Sequence, residues 1–141
     1  TEAKKAIALI DLDTVGPMQL SAELGDAWRS WCNPAGEDDP ANARFDFDLF
    51  EASLRGFAST APELVDAEWD NLSPGIERIC LELAARFCAD SLNNTYFKED
   101  RNRFPQPGSH NLHKARCQLA LARSVRGLRS RCDALVATVR S

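Results

Sequence analysis

The chain has 141 residues, of which 44% are hydrophobic and 27% charged, with a net charge of −4 at pH 7. This length and composition predict one globular domain with a single core, and no window approaches the roughly 18 consecutive apolar residues of a membrane span. The five cysteines are odd in number, widely spaced and without a C-x-x-C pair, which argues against a disulfide framework or a zinc ribbon. Lys4 and Lys5 precede only a short apolar run, so no signal peptide is expected. We expect reduced thiols, packed as small hydrophobic groups, in a cytoplasmic protein.

Charge is divided unevenly along the chain. Residues 1–100 carry 8 basic and 20 acidic side chains, a net charge of −12, whereas residues 101–141 carry 9 basic side chains and Asp133 alone, a net charge of +8. A basic segment can indicate nucleic-acid binding. Its arginines, however, are scattered around the expected helix, and the rest of the chain would repel phosphates. We therefore expect the basic segment to dock against acidic parts of its own chain, with no nucleic-acid partner.

Residues 7–14, Ile-Ala-Leu-Ile-Asp-Leu-Asp-Thr, join an apolar run to two carboxylates one residue apart. The run predicts a β-strand buried on both faces. Asp11 and Asp13 would then lie on the same side, because side chains alternate along a strand. Paired carboxylates on a strand end suit Mg²⁺, but two aspartates there also commonly cap a turn. By spacing alone, the capped turn is favoured over the metal site.

The remaining elements are predicted to be helical. Thr60 and Glu63 form a capping-box pattern, and Ser73 with Pro74 supplies a second start signal, so two separate helices are expected here. Apolar residues at three- and four-residue steps predict helices over 19–32, 46–58, 60–71, 73–93 and 111–139. The predicted fold class is mainly α, with one N-terminal β-strand followed by about five helices.

The last predicted helix carries an apolar stripe that changes side along its length. Gly127 lies inside the crossover and predicts a kink or a break. At the start of this helix, His110 and His113 have the spacing of a metal pair, but no third ligand lies nearby in sequence, so ordinary helix-start residues are favoured. The chain contains neither a G-x-S-x-G nucleophile motif nor a glycine-rich phosphate loop.

Six short segments, in this order, resemble the C-terminal half of the aminoglycoside phosphotransferase and choline kinase superfamily, most closely its N-acetylhexosamine kinase-like sugar kinases. The similarity runs from the first predicted strand to about residue 125. The segments are Ile-Asp-Leu-Asp-Thr (10–14), Glu-Leu-Gly-Asp-Ala-Trp-Arg-Ser (23–30), Asp-Leu-Phe-Glu-Ala (48–52), Arg-Phe-x-x-Asp-x-Leu-Asn (86–93), Tyr-Phe-Lys (96–98) and His-Asn-Leu-x-x-Ala-Arg (110–116).

The resemblance implies a metal site. In that family, the aspartate of the Ile-Asp-x-Asp segment binds the Mg²⁺ of ATP, as the corresponding aspartate does in protein kinases. Asp11 takes that position here, with Asp13 beside it. The resemblance therefore favours the metal site over the capped turn.

The resemblance also implies a substrate site. The arginine of the Arg-Phe segment and the tyrosine of Tyr-Phe-Lys reach the sugar pocket, which indicates Arg86 and Tyr96, although the segment joining them looks one residue shorter than usual. Ser30 takes a place where such kinases often carry an aromatic residue near the sugar, so its small size implies a different or looser pocket. Asp26 and Arg29 are expected to be structural residues beside the metal segment.

A kinase of this type also needs a nucleotide-binding lobe and a catalytic loop with a base aspartate and a metal-binding asparagine. Neither is found in the 141 residues. The resemblance therefore implies a single-domain C-terminal fragment: the substrate-binding part of an ATP- and Mg²⁺-dependent phosphotransferase for a small hydroxyl substrate such as an amino sugar or hexosamine, inactive alone and with no catalytic residue of its own. The alternative is a free-standing helical module that binds a ligand or a protein. The N-terminal lobe or a second copy, in a homodimer, would pair with the open strand edge.

Overall fold

The computed structural model describes residues 7–8 and 15–140, and its described part is built from four helices. The helices are α1 (Leu20–Trp31), α2 (Phe47–Ala58), α3 (Asp66–Asn93) and α4 (Ser109–Arg140). The long helices α3 and α4 lie antiparallel, because a hydrogen bond joins Asn111 to Asp90 near one end and another joins Arg140 to Asp70 near the other. α1 packs mainly on α3, and α2 packs mainly on α4.

The predicted strand and the predicted number of helices are wrong, whereas the mainly α character is confirmed. Residues 7–8 and 15–140 contain no strand, and Ile7 and Ala8 are irregular. Residues 9–14 of the predicted strand lie outside the described residues. A strand needs a neighbour for its backbone hydrogen bonds, and the described part of the chain supplies none. Within residues 7–8 and 15–140 there is no strand edge that could form the predicted homodimer, and that partner stays a prediction.

The two helices predicted on either side of Ser73 are a single helix, α3, which contains Pro74. An interior proline removes its own backbone donor and its ring crowds the carbonyl group of residue 70, but packing on both sides of the helix can offset these costs. Leu72, Ser73, Gly75 and Ile76 are all buried, so the turns around the proline are held by tertiary contacts. The predicted capping box at residues 60–63 does not start a helix; α3 begins at Asp66.

Close approach of two backbones sets the crossing of α1 and α3. A Cβ atom on Gly25 would lie 2.8 Å from the Gly75 carbonyl oxygen, and a Cβ atom on Gly75 would overlap the Ser21 carbonyl group. The Arg78 side chain donates a hydrogen bond of 3.0 Å to the Ser21 hydroxyl beside this contact. The two glycines therefore allow α1 to lie against α3 immediately after Pro74.

The core between the helices is mostly aliphatic, with a group of aromatic residues between α1 and α2. Trp28 is fully buried and meets Phe50 edge to face, with ring centroids 5.1 Å apart. Trp31, the last residue of α1, is by contrast largely exposed. Four of the five cysteines are buried as expected, and no disulfide is present among the described residues: the buried four are Cys32, Cys80, Cys117 and Cys132.

Helix α4 continues through Gly127, so the predicted break is wrong. Its arginines do dock against acidic groups of the same chain, as the charge distribution predicts. Arg126 and Arg129 both pair with Glu77, and Arg140 pairs with Asp66 and Asp70. Across residues 7–8 and 15–140, no helix combines the length and the apolarity that crossing a membrane requires.

Candidate functional site

A buried carboxylate organises the turn that leaves α3. Asp90 Oδ1 accepts hydrogen bonds from the backbone N–H groups of Thr95 and Tyr96, at 2.9 and 3.0 Å, and from the Thr95 hydroxyl at 3.3 Å. Its Oδ2 accepts from the Phe97 N–H at 2.8 Å and from the Asn111 amide at 3.0 Å. Asn94, at φ 54°, ends the helix in the left-handed conformation that asparagine tolerates. Asp90 thus fixes the backbone of residues 95–97 against both long helices.

This fixed turn brings together two residues that the resemblance places in the substrate site. The Arg86 guanidinium carbon lies 5.4 Å from the Tyr96 ring centroid and 5.5 Å from the Phe97 ring centroid. Phe97 is anchored on Phe87, with ring centroids 4.3 Å apart, while Tyr96 stays largely exposed. A shallow cavity of about 240 Å³ is lined by Arg86, Ala89, Asp90, Asn93, Tyr96 and Phe97.

The N–H donors of the Arg86 guanidinium are available to bind a ligand. Among the described residues it makes no ion pair or hydrogen bond, and its contacts are those with the two aromatic rings. A guanidinium stacked on aromatic faces keeps its N–H groups in the ring plane free to bind an oxygen-rich ligand. Aromatic walls with a few fixed polar groups are typical of small-molecule sites. The geometry can therefore bind a polar ligand that also presents an apolar face.

The other substrate-site residue, Ser30, lies elsewhere. It is exposed on α1 and does not line this cavity. Its neighbour Arg29 is buried, and its guanidinium bonds Asp26 at 2.8 Å and Glu37 at 2.6 Å. Burial opposes the charge of Arg29, but the hydrogen bonds to Glu37 and Asp26 outweigh it and raise the pKa of this side chain. Arg29 and Asp26 thus fasten the 33–44 loop to α1, a structural role.

Asp11 and Asp13, the predicted Mg²⁺ ligands, lie outside the described residues. Within residues 7–8 and 15–140, no three histidine, cysteine, aspartate or glutamate side chains come together as a metal site would require. The metal assignment therefore stays a prediction.

His110 and His113 serve to hold the 33–44 loop against α4. His110 Nδ1 accepts the backbone N–H of Asp100 at 2.9 Å, which places the imidazole proton on Nε2, 3.1 Å from Asp38 Oδ1. His113 Nε2 lies 2.9 Å from the Asp38 carbonyl oxygen, and Phe104 stacks on the His110 ring at 4.5 Å. Both imidazoles are thus engaged by the protein itself, as the helix-start interpretation favoured.

Periodicity and motif arguments did not single out Asp90 or Glu99 as site residues. Glu99 is the second buried anchor of the connector, where it accepts the backbone N–H of Gly108 at 3.1 Å and pairs with Arg101 at 2.9 Å. Each carboxylate bonds backbone groups several residues away in sequence, which no hydrophobic period reveals. The position of Asp90 in the last helical turn, before two asparagines, is the one available signal.

Acid should weaken these anchors. Hydrogen bonds from the backbone N–H groups of Phe97 and Thr95 hold the pKa of Asp90 below its usual value. Burial raises the pKa of Glu99, but bonds from the Gly108 and Asn111 N–H groups outweigh it and lower the pKa. A carboxylate whose pKa is lower in the folded state stabilises the fold above its unfolded-state pKa and loses that contribution as pH falls through the folded-state pKa. As the pH is lowered below about 4, we expect the midpoint temperature of unfolding, measured by circular dichroism, to decrease. A midpoint temperature that stays unchanged down to about pH 2 would contradict this.

No protein-family model matches the chain.

Proposed function

We propose that this chain is the acceptor-binding part of an ATP-dependent phosphotransferase that acts on a small hydroxyl substrate, an amino sugar or hexosamine, in the cytoplasm. The sequence segments that resemble sugar kinases support the reaction class. The buried cysteines, which form no disulfide, support the cytoplasm as the compartment, because thiols stay reduced there. The observation that carries the proposal is the contact between Arg86 and Tyr96 on a turn clamped by Asp90.

The surface around Arg86 suits a sugar for two reasons. The in-plane N–H groups of a guanidinium can donate to ring and hydroxyl oxygens, and the exposed Tyr96 ring offers an apolar face to the C–H groups of a pyranose. Phosphoryl transfer requires little covalent chemistry from the protein beyond positioning and charge stabilisation. In this proposal the described residues orient the acceptor hydroxyl.

The phosphate side of the reaction depends on groups beyond this surface. Asp11 and Asp13 are a pair of hard oxygen ligands, a donor set that suits Mg²⁺, and would hold the ion that neutralises the phosphates of ATP. The nucleotide-binding groups and the base aspartate have no counterpart in the 141 residues. We therefore expect this chain to bind the acceptor and not to turn it over alone.

Binding of hexosamines to the chain tests the proposal. We expect Arg86→Ala to raise the dissociation constant for N-acetylglucosamine or galactosamine by about ten- to a hundredfold, since hydrogen bonds to a charged group are lost. Tyr96→Ala should raise this constant by about tenfold through loss of the ring face. Isothermal titration calorimetry on the 141-residue chain gives both values.

Arg44 supplies the matched control, because it is an exposed arginine outside the cavity and Arg44→Ala should leave binding unchanged. Equal binding by wild type and Arg86→Ala would remove the proposed site. In the complete enzyme, full turnover by an Asp11→Asn variant would refute the metal assignment while leaving the acceptor site standing.

A further inference from the structure

The outer face of the α3–α4 pair carries an exposed apolar surface. On α3 it consists of Leu81, Ala85, Cys88 and Leu92, which follow one another at three- and four-residue steps; Leu92 is 85% exposed and Leu81 40%. On α4 it includes Leu112 and Leu119, 39% and 40% exposed. We call these six residues the outer face.

One ion pair shows that the α3 residues and the α4 residues of the outer face lie on the same side of the α3–α4 contact. Glu77 on α3 binds Arg126 on α4, whose side chain is largely exposed. Leu81 and Cys88 lie four and eleven residues after Glu77, and Leu119 lies seven residues before Arg126. Such steps keep residues on one side of a helix. Both rows therefore run along the solvent side of the α3–α4 contact, where none of the described elements covers them.

Three charges at the rim of the outer face are left over. Arg116 and Arg123 alternate with Leu112 and Leu119 along α4, and Glu82 follows Leu81 on α3. None of the three forms an ion pair or hydrogen bond within the described part of the chain. The Asp90–Asn111 and Glu77–Arg126 contacts set the register of the helices, and this register places Glu82 level with the midpoint between Arg116 and Arg123.

We propose that the outer face is the contact surface of a homodimer whose two-fold axis runs parallel to α3 and α4. Rotation about such an axis preserves the level of each residue along the helices and lays α3 of one protomer against α4 of its partner. Glu82 then lies between the partner's Arg116 and the partner's Arg123, and the reciprocal contact forms across the axis. The apolar residues of the two copies meet in the centre, as in an antiparallel four-helix bundle.

The size of the outer face suits a weak, reversible contact. From Leu81 to Leu92 it is about 17 Å long, and it is two helices or about 20 Å wide, on the order of 350 Å² per protomer, which is at the low end of protein–protein interfaces. An apolar centre with charges confined to the rim is also the usual arrangement of such interfaces. A second copy is favoured over an unrelated partner because the leftover acid and the leftover arginines complement each other at the same level.

Sedimentation equilibrium of the 141-residue chain, over about a hundredfold range of concentration, tests the proposal. We expect a monomer–dimer equilibrium that Leu119→Lys weakens by at least about tenfold, because it buries a positive charge beside Arg116 and Arg123 at the interface. Val65→Lys is the control: Val65 is also exposed but precedes α3, so dimerisation should be unaffected. A chain that stays monomeric throughout would overturn the proposal.

Charge reversal tests the orientation. Glu82→Arg should weaken the dimer, Arg116→Glu with Arg123→Glu should also weaken it, and the triple variant should regain much of the lost affinity. Cys88, the exposed cysteine, should be cross-linked to the partner's Cys88 by a short bis-maleimide. A dimer whose affinity is unchanged by the charge reversals and which gives no Cys88 cross-link would overturn this interface. The proposal would also be overturned by a chain that is monomeric on its own and whose Cys88 becomes unreactive towards maleimide only when a different polypeptide is added.

Discussion

Replacing Gly108 with alanine is expected to destabilise the fold by about 3 to 5 kcal/mol, through two costs that add. Gly108 has φ +77°, in the left-handed region that a side chain disfavours, and a Cβ atom there would overlap the Ser91 carbonyl group. Its N–H also bonds Glu99, so any movement that relieves the overlap weakens that anchor. Urea denaturation followed by circular dichroism measures the change in the free energy of unfolding.

Gly36 separates the two costs. It has a similar φ of +74° but open space around the Cβ position. Gly36→Ala should therefore cost only about 1 kcal/mol, the conformational share. Equal losses for the two variants would show that the contact between Gly108 and Ser91 is not what requires glycine at the start of α4.

Replacing Asp90 with alanine is expected to lower the thermal midpoint by roughly 10 °C, because it leaves several donors without an acceptor at a partly buried site. The backbone of Thr95 to Phe97 would lose its fixed conformation, and with it the contact of Tyr96 with Arg86. Hexosamine binding should fall as far as it does in Arg86→Ala. Differential scanning calorimetry and calorimetric titration give the two values.

Two further variants make this prediction specific to the Asp90 contacts. Asp90→Asn keeps one acceptor oxygen, so it should lie between wild type and alanine and show less loss of stability in acid. Asp133→Ala removes an exposed carboxylate on α4 that accepts no hydrogen bond within the described residues, and should change neither the midpoint nor binding. If Asp90→Ala and Asp133→Ala behaved alike, the turn would not depend on the Asp90 carboxylate.

Local signals in the sequence predicted some elements well. The helix predicted over 46–58 is α2, and Asp46 caps it, with its carboxylate 3.1 Å from the backbone nitrogens of Asp48 and Leu49. The same kind of signal failed at Ser73 and Pro74, because burial on both sides of α3 outweighs one missing backbone donor. The strand failed for a related reason: an apolar run shows that a segment can be buried, but a strand also needs a partner strand.

The candidate site, like the fold, could be predicted from the sequence only in part. Family resemblance selected Arg86 and Tyr96, and the structure places them in contact. It did not reveal that Asp90 holds the turn, since this carboxylate bonds residues five to seven positions later and Asn111 on another helix. Ser30 was selected too, yet it is exposed on α1 and does not line the cavity.

Mapping hexosamine binding by nuclear magnetic resonance tests the acceptor site most directly. N-acetylglucosamine and N-acetylgalactosamine titrated into the ¹⁵N-labelled chain should shift the amide signals of Asn93 and Tyr96 to Lys98 and the side-chain signal of Arg86, with saturation at one site. Signals from the outer face should not respond. Absence of shifts at saturating sugar, or shifts confined to another surface, would contradict the assignment of Arg86 and Tyr96 to the acceptor.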